Sequence, residues 1–339
     1  MINIDLLIRY IFVPLIKYPL IVLFPFQDIF PASVIYFSIL YSICINGFSL
    51  LNSSYEQRVF AKKKWLNYDQ MNTPVAIITG GSNGLGKQII ATLLSKSKKL
   101  TIINIDVQKT DSNILNNSRV IFKQCDLSDT LKVENLLKEL KSLSGESICL
   151  IVNNAGMRSA YSNFNEISNS VFQKIMQINC HSPFRIMQEL RPAPSSTSQC
   201  YIVNIASTLG VLSPARISVY AASKAALISL HNSLTFELNT QENCNTRTLL
   251  VVTGQLNTDM FNGFIAPRQF FAPVVDSKYL AEKIVANALQ GRQTVINEPF
   301  YAKFAYLLMS MPPSIQSIAR KFSQMDICLP DEIKKHNQN

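Results

Sequence analysis

The seven cysteines, Cys44, Cys125, Cys149, Cys180, Cys200, Cys244 and Cys328, include no Cys-x2-Cys pair, and only three histidines accompany them. That spacing excludes a zinc-finger-like metal site and a disulfide scaffold. Scattered thiols suit a reducing compartment. Charge is scarce as well: 16% of the 339 residues are charged, against about 25% in ordinary soluble domains. Part of the chain is therefore expected to meet something other than water. The net charge of +10 does not indicate a nucleic-acid binder. The densest basic group, Arg58, Lys62, Lys63 and Lys64, directly follows an apolar stretch. A cytoplasmic membrane border or a solvated linker fits it better.

No charged residue occurs from Ile29 to Tyr55, and Ala32–Leu51 is mostly apolar. Twenty helical residues span about 30 Å, the thickness of a hydrocarbon core. An earlier apolar arm, Leu6–Phe24, is interrupted by Arg9, Pro14, Lys17 and Pro19, and Pro25-Phe-Gln-Asp-Ile-Phe-Pro31 separates the two. Either the second arm spans a bilayer while the first lies on its surface, or both dip in as a hairpin. A hairpin would bury Asp28 at cost, so at least one span is favoured. A cleaved signal peptide fits poorly, because Asp5 is acidic and no small-residue cleavage site follows the first arm. The expected division is a membrane-anchoring segment over 1–56, a basic linker over 57–73, a catalytic domain over 74–295 and a C-terminal extension over 296–339. The basic cluster places the catalytic domain on the cytoplasmic side.

Beyond residue 73 the chain becomes regular. Short apolar runs at Val75–Thr79, Thr101–Asp106, Val120–Cys125, Ile148–Val152, Tyr201–Ile205 and Leu249–Val252 are separated by segments of helical pattern. This alternation predicts an α/β fold, a Rossmann-type doubly wound parallel sheet with helices on both faces. Its ligand crevice belongs at the carboxyl ends of the strands. Arg191-Pro-Ala-Pro-Ser-Ser-Thr-Ser-Gln199 reads as a surface loop.

The glycines at 80, 84 and 86 lie between the first strand and a helix. A turn without side chains lets backbone approach a pyrophosphate, and the helix start offers free N–H groups. Asp106 ends the second strand, 20 residues beyond Gly86. A carboxylate there accepts hydrogen bonds from ribose hydroxyls and repels a 2′-phosphate. With no basic residue at position 83, NAD(H) is favoured, and Lys87 keeps NADP(H) open. Asp126 suits either the adenine edge or a helix cap. Asn153-Asn-Ala-Gly156 permits close approach of a cofactor or simply ends a strand.

On a helix, Tyr220 and Lys224 of Tyr220-Ala-Ala-Ser-Lys224 share a face. An ammonium beside a phenol favours the phenolate, which makes Tyr220 a proton carrier at neutral pH. Ser207 follows the fifth strand and can steady a substrate oxygen. Thr208 competes for that role, and either hydroxyl could cap a turn. Ser207 does not lie in a Gly-x-Ser-x-Gly elbow. Asn179 suits either a water chain beside Lys224 or a buried amide joining two backbone segments.

From Thr73 to Gln293 these pieces, with Thr79-Gly-Gly-Ser-Asn-Gly-Leu-Gly86 at the front and Thr253-Gly-Gln-Leu-Asn-Thr258 at the end, resemble the short-chain dehydrogenase/reductase family. The resemblance implies seven parallel strands and a catalytic group of Asn179, Ser207, Tyr220 and Lys224. It implies cofactor contacts from Gly80, Ser82, Asn83, Gly84, Leu85, Gly86, Asp106, Asp126, Leu127, Asn153, Ala155, Gly156, Tyr220, Lys224, Gly254 and Thr258. The apolar front end is similar to that of the membrane- and lipid-droplet-associated retinol or 17β-hydroxysteroid dehydrogenase-like branch, which implies the endoplasmic reticulum or lipid droplets. The family often has proline before Gly254, where this chain has Thr253; that substitution is expected to loosen the turn.

Met260, Phe261, Phe264, Ile265, Phe270 and Phe271 suit an apolar lid over a greasy substrate, or completion of the core. Phe300–Met311 is too short to span; with Lys303, Arg320 and Lys321 facing headgroups it could lie at an interface. Intramolecular packing or a homodimer surface are the other roles open to it. The functional expectation is hydride transfer between a nicotinamide cofactor and a lipophilic alcohol, ketone or aldehyde. A catalytically weak dinucleotide-binding scaffold and a reductase of small polar carbonyls are the alternatives.

Overall fold

A computed structural model of the chain describes residues 3–329 other than 27–28, 61–63, 110–112, 115, 145–146, 194–195, 197, 242–243 and 262–265, and not the side chains of 26, 56–60 and 144. Asp28, Lys62, Lys63, Pro194, Gly263, Phe264, Ile265 and the Arg58 side chain therefore lie outside the described residues. The chain forms two compact units, residues 1–64 with 268–273, and residues 65–267 with 274–339.

In the first unit, the charge-free stretch becomes one helix, α1, Ala32–Phe60. Its Ala32–Tyr55 portion is long and apolar enough to cross a membrane and is exposed along its length. The few polar side chains on it bond backward along the helix: Ser38 Oγ donates to Val34 O at 2.8 Å, Ser42 Oγ to Ser38 O at 2.9 Å, and Asn46 Nδ2 to Ser42 O at 2.7 Å. These bonds satisfy groups that would be costly to leave unpaired in an apolar medium. The preceding arm is a series of short helical turns. Tyr18, ahead of Pro19, leaves the helical region at φ −133, as a residue before proline tends to. Its hydroxyl donates to Asn46 Oδ1 at 3.3 Å, so the arm lies against α1.

The second unit carries seven parallel strands in the order β3-β2-β1-β4-β5-β6-β7. These are β1 Val75–Thr79, β2 Thr101–Asp106, β3 Val120–Gln124, β4 Ile148–Asn153, β5 Cys200–Ser207, β6 Thr246–Thr253 and β7 Thr294–Glu298. The central strands β1, β4 and β5 are buried from end to end, which explains their unbroken apolar runs. Helices cover both faces. On one, α2 (Gly84–Lys96) brings Leu85, Ile89 and Leu93 against the sheet beside Leu280 and Ile284 of α7 (Ser277–Gln290). On the other, Val133, Leu137 and Leu140 of α3 (Thr130–Ser144) meet Ile186 and Leu190 of α5 (Ser182–Leu190). Each such buried side chain contributes about 1.5–3 kcal/mol. Between α3 and α5, α4 (Asn169–Met176) runs into a π-helical turn, Gln177–His181; α6 (Ser218–Thr240) follows β5.

Trp65 and Leu66, at the start of this unit, are tied into it. Gln199 Oε1 accepts from Leu66 N at 2.7 Å and its amide donates to Leu66 O at 2.8 Å. Trp65 donates to Ala288 O at 3.0 Å, with the Arg247 guanidinium 4.5 Å above its ring. Strand order reverses between β1 and β4, where chains of this topology open a crevice. The seventh strand crosses residue 295, the expected end of the catalytic domain, so the C-terminal extension begins inside the sheet.

Candidate active site

Tight turns at the carboxyl ends of β1 and β4 are joined across the reversal point. Thr79 Oγ1 accepts from Asn154 N at 3.1 Å and Ala155 N at 3.0 Å, while the Asn154 amide donates to Thr79 O and Gly80 O. The chain turns at Gly80 and Gly84 with φ of +66 and +51, a region that side chains disfavour. A Cβ on Gly80 would lie 2.9 Å from Ala155 Cα, and one on Gly86 would strike the Gly80 carbonyl. Gly86 thus lets the start of α2 close against the turn. Asn104, buried within β2, holds the loop from below. It accepts from Gly81 N at 3.0 Å and donates to Ser82 Oγ at 3.1 Å. The Asp106 carboxylate accepts from Ser82 N at 3.0 Å and Val107 N at 2.8 Å.

A cleft of about 270 Å³ runs from this loop across the strand ends. Of the residues expected from sequence, Gly80, Asn83, Gly84, Leu85, Asp106, Ala155, Gly156, Ser207, Tyr220, Lys224, Gly254 and Thr258 line it. The others lie behind or beside its wall. Ser82 is fully buried on Asn104. The Asp126 carboxylate accepts from Ser128 N at 2.9 Å, and that bond holds its pKa below the usual carboxylate range. Asp129, not Asp126, accepts from Lys132 N in the first turn of α3. Leu127 is buried in the core. Asn153 donates to Asn204 Oδ1 at 2.8 Å.

Asn179 is fully buried in the π-helical turn, a distortion common at functional sites. Its amide clasps Met157, accepting from Met157 N and donating to Met157 O, each at 2.8 Å, and also donates to Ser223 Oγ at 2.9 Å. These are the bonds of a buried amide that joins two backbone segments. Asn179 Oδ1 and Lys224 Nζ both lie close to Gly156, 3.6 and 3.3 Å from where its Cβ would be.

Ser207 ends β5, and Tyr220 and Lys224 stand one turn apart on α6. Burial pushes the Tyr220 phenol up to about 12, partly offset by its hydrogen bond with Ser207. Burial lowers Lys224 to about 8, and its Nζ donates to Ile205 O at 2.8 Å. The sequence expectation that the ammonium favours the phenolate is not met here: burial dominates and holds the phenol in its acid form, able to donate a proton to a substrate oxygen. Leu256, Met260 and Phe261 supply apolar wall, Phe261 meeting the Tyr220 ring edge-on at 6.0 Å between centroids. Phe270 and Phe271 instead stack on each other within the first unit.

Residues 74–268 match the short chain dehydrogenase family model. The chain belongs to that family. It is therefore an NAD(P)(H)-dependent oxidoreductase, an assignment consistent with the cleft geometry. Over 330 residues it is 46% identical to "Uncharacterized oxidoreductase TDA5" of Saccharomyces cerevisiae, covering 97% of this chain and 100% of that one. Human "Retinol dehydrogenase 10" is 23% identical over 313 residues, covering 83% of this chain and 92% of that one. A short chain dehydrogenase from Burkholderia cenocepacia J2315 in complex with NADP shares the fold with a TM-score of 0.59 at 19% identity, covering 76% of this chain and 99% of that one. A 4-hydroxyisoleucine dehydrogenase complexed with NADH does so with a TM-score of 0.55 at 22% identity, covering 66% and 96%.

Within this family frame, Thr253 is the last residue of β6, just before Gly254. It pairs with Ser207 on one side and Glu298 on the other, and its carbonyl accepts from Thr208 N at 2.9 Å. The hydrogen-bonded ladder continues to the last residue of β6. Asn104 and Tyr301 were not singled out from sequence, and Asn154 entered only as part of Asn153-Asn-Ala-Gly156. Asn104 carried a signal, as a polar residue inside an apolar strand. Tyr301, whose hydroxyl lies 3.5 Å from Thr208 Oγ1, arrives from beyond β7 and carried none.

Proposed function

We propose that this cleft holds a nicotinamide dinucleotide, NAD(H) in preference to NADP(H), and that the enzyme oxidises or reduces a lipophilic alcohol, ketone or aldehyde of steroid, retinoid or long-chain lipid type. The carrying observation is that one cleft joins the side-chain-free turn and Asp106 at one end to Ser207, Tyr220 and Lys224 at the other. The residues fit the cofactor. The cradle at Gly80 and Gly84 admits backbone approach, the N-terminus of α2 favours phosphate, and the Asp106 carboxylate suits ribose hydroxyls. Gly156, Gly254 and Thr258 would flank the nicotinamide end. Relatives of this fold have been solved with NADH and with NADP.

The bound dinucleotide supplies or accepts the hydride. Ser207 steadies the substrate oxygen as charge develops on it. Tyr220 donates its proton to that oxygen in reduction and takes one from the alcohol in oxidation. Lys224 holds positive charge near the phenol and orients the ribose, and Asn179 fixes the backbone beside Lys224. Oxidation asks most of the site, because bringing the phenol from about 12 to near 7 corresponds to roughly 7 kcal/mol of differential interaction.

A lipophilic substrate is supported by the apolar wall of Leu256, Met260 and Phe261 and by the membrane-length helix α1. It is further supported by relatives named for retinol. In this reading α1 anchors the protein in the endoplasmic reticulum or lipid-droplet membrane with the catalytic unit facing the cytoplasm. Ile315, Ile318 and Phe322, spaced along one side of α8 (Pro313–Ser323) and exposed, would add interfacial contact. The deciding experiment is a cofactor-coupled screen of lipid, steroid and small carbonyls in detergent, run with NADH and NADPH on the native protein and Tyr220→Phe. Turnover that vanishes in Tyr220→Phe while NADH still binds supports the reading. Binding without turnover across the whole panel would favour a scaffold instead.

A further inference from the structure

Ser207 and Tyr220 are connected by one short loop, and the chain's last described residues hold it. After the helical turn Leu209–Leu212, the loop places Ser213 at φ +46 and Arg216 at φ +67. Both are non-glycine residues in the left-handed region, a conformation that persists only where surroundings enforce it. The surroundings here come from 100 residues further along. Arg320 of α8 donates to Leu212 O at 2.9 Å and Ser213 O at 3.2 Å. The same guanidinium grips Asp326 with both faces of its fork, at 2.8 and 2.6 Å, and Asp326 Oδ1 also accepts from Ala215 N at 3.1 Å. Arg216 closes the circuit by donating to Leu329 O at 2.6 Å. Leu329, 5% exposed, shares a buried cluster with Tyr161, Ile217 and Tyr220.

We infer that Arg320, Asp326 and Leu329 are positioning residues, forming a C-terminal latch that sets the Ser207–Tyr220 loop and backs the wall behind the reacting phenol. Leu212 O, Ser213 O and Ala215 N all end on Arg320 or Asp326, while Arg216 O accepts from Ser162 N and Ser213 N donates to Leu209 O. Bidentate Arg–carboxylate pairing supplies direction as well as attraction, which a loop with two left-handed residues requires. Arg320, open from sequence to headgroup contact or to intramolecular packing, is therefore committed inside the protein.

The inference rests on the proposed roles of Ser207 and Tyr220, so the test has one readout with turnover and one without. Arg320→Ala, Asp326→Asn and wild type are compared in full-length protein. The measurements are NADH affinity by fluorescence, kcat and KM with the best substrate from the screen, and amide hydrogen exchange over residues 208–217. A loop displaced by even 1 Å can cost on the order of 100-fold in rate. For Arg320→Ala the expectation is a fall in kcat of at least about tenfold, NADH affinity unchanged within about threefold, and faster exchange over 208–217. Asp326→Asn keeps an acceptor for Ala215 N but loses the bidentate pairing with Arg320, so its kcat and its exchange over 208–217 should fall between those of wild type and Arg320→Ala. Unchanged kcat, or unchanged exchange in that segment, overturns the latch. If wild type turns over nothing, the catalytic reading fails, and exchange alone then decides the latch. If Arg320→Ala does not fold, Leu329→Val decides by the same kcat and exchange criteria.

Discussion

The Lys224 nitrogen lies 5.8 Å from the centre of the Tyr220 ring. Its hydrogen bond goes to Ile205 O, not to the phenol. A buried ammonium with a carbonyl as its partner is a cost to the fold. Burial brings its pKa from 10.5 to about 8. Because the folded value is the lower one, the unfolded chain binds more protons between about 8 and 10.5. Stability therefore rises with pH across that window, and the penalty is fully present below it. Lys224→Met is expected to unfold at a higher temperature than wild type at pH 6, with the gap narrowing by pH 10, and to lose turnover. Calorimetry at the two pH values checks it. A variant less stable than wild type at pH 6 would show that the Ile205 bond outweighs burial.

Asp106 serves two purposes, and a substitution should separate them. Its carboxylate accepts from Ser82 N and Val107 N and also borders the cleft. Asp106→Ala is expected to lower stability by about 1 kcal/mol through the lost amide bonds. It should also shift the ratio of NADPH to NADH affinity toward NADPH by about tenfold as the repulsive charge goes. Titration with each dinucleotide measures the ratio. No movement in it would assign Asp106 to loop support alone.

Gly86 tests the cradle. An added methyl would meet the Gly80 carbonyl and come within 2.6 Å of Asn154 Nδ2, so helix and turn must separate. Gly86→Ala is expected to weaken NADH binding by at least about tenfold, with a lowered Tm from the overpacking. Binding calorimetry and thermal unfolding report the two effects independently.

The parts legible in the sequence were those whose signal is local. β1 and β2 were read to the residue because apolar runs stop at a glycine turn and at Asp106. The glycine turn, Ser207, Tyr220 and Lys224 were legible for the same reason, each being tied to a strand end or to i, i+4 spacing on a helix. β7 was not placed, because an edge strand reading Thr-Val-Ile-Asn-Glu is half exposed and lacks an apolar run. Asn179 was legible as a residue, but its two readings, a water chain or a buried amide, could not be separated because its partner Met157 lies 22 positions away. For Arg320 the sequence leaves headgroup contact and intramolecular packing both open for the same physical reason: headgroup-facing and carbonyl-gripping arginines look alike until the fold brings Leu212 within reach.

His231 yields a prediction free of the cofactor. It is buried on α6 facing β5, where Asn204 Nδ2 stands 3.0 Å from His231 Nδ1. With the Asn204 oxygen occupied by the Asn153 amide, His231 Nδ1 must accept, which makes the ring neutral. Burial lowers its pKa from 6.5 to about 4. Between those values the unfolded chain takes up the proton and the folded one resists it, so stability falls as pH drops from 6.5 toward 4, by roughly 3 kcal/mol in all. Asp126 and Asp129 also have pKa values lowered by hydrogen bonds. Their loss comes as pH falls through the carboxylate range, below most of the histidine window. Urea unfolding at pH 7, 6 and 5 should therefore show wild type weakening over that interval and His231→Gln, which cannot take up the proton, weakening much less. Parallel slopes for the two proteins would mean that the ring is protonated in the fold at pH 5, and the tautomer argued from Asn204 would be wrong.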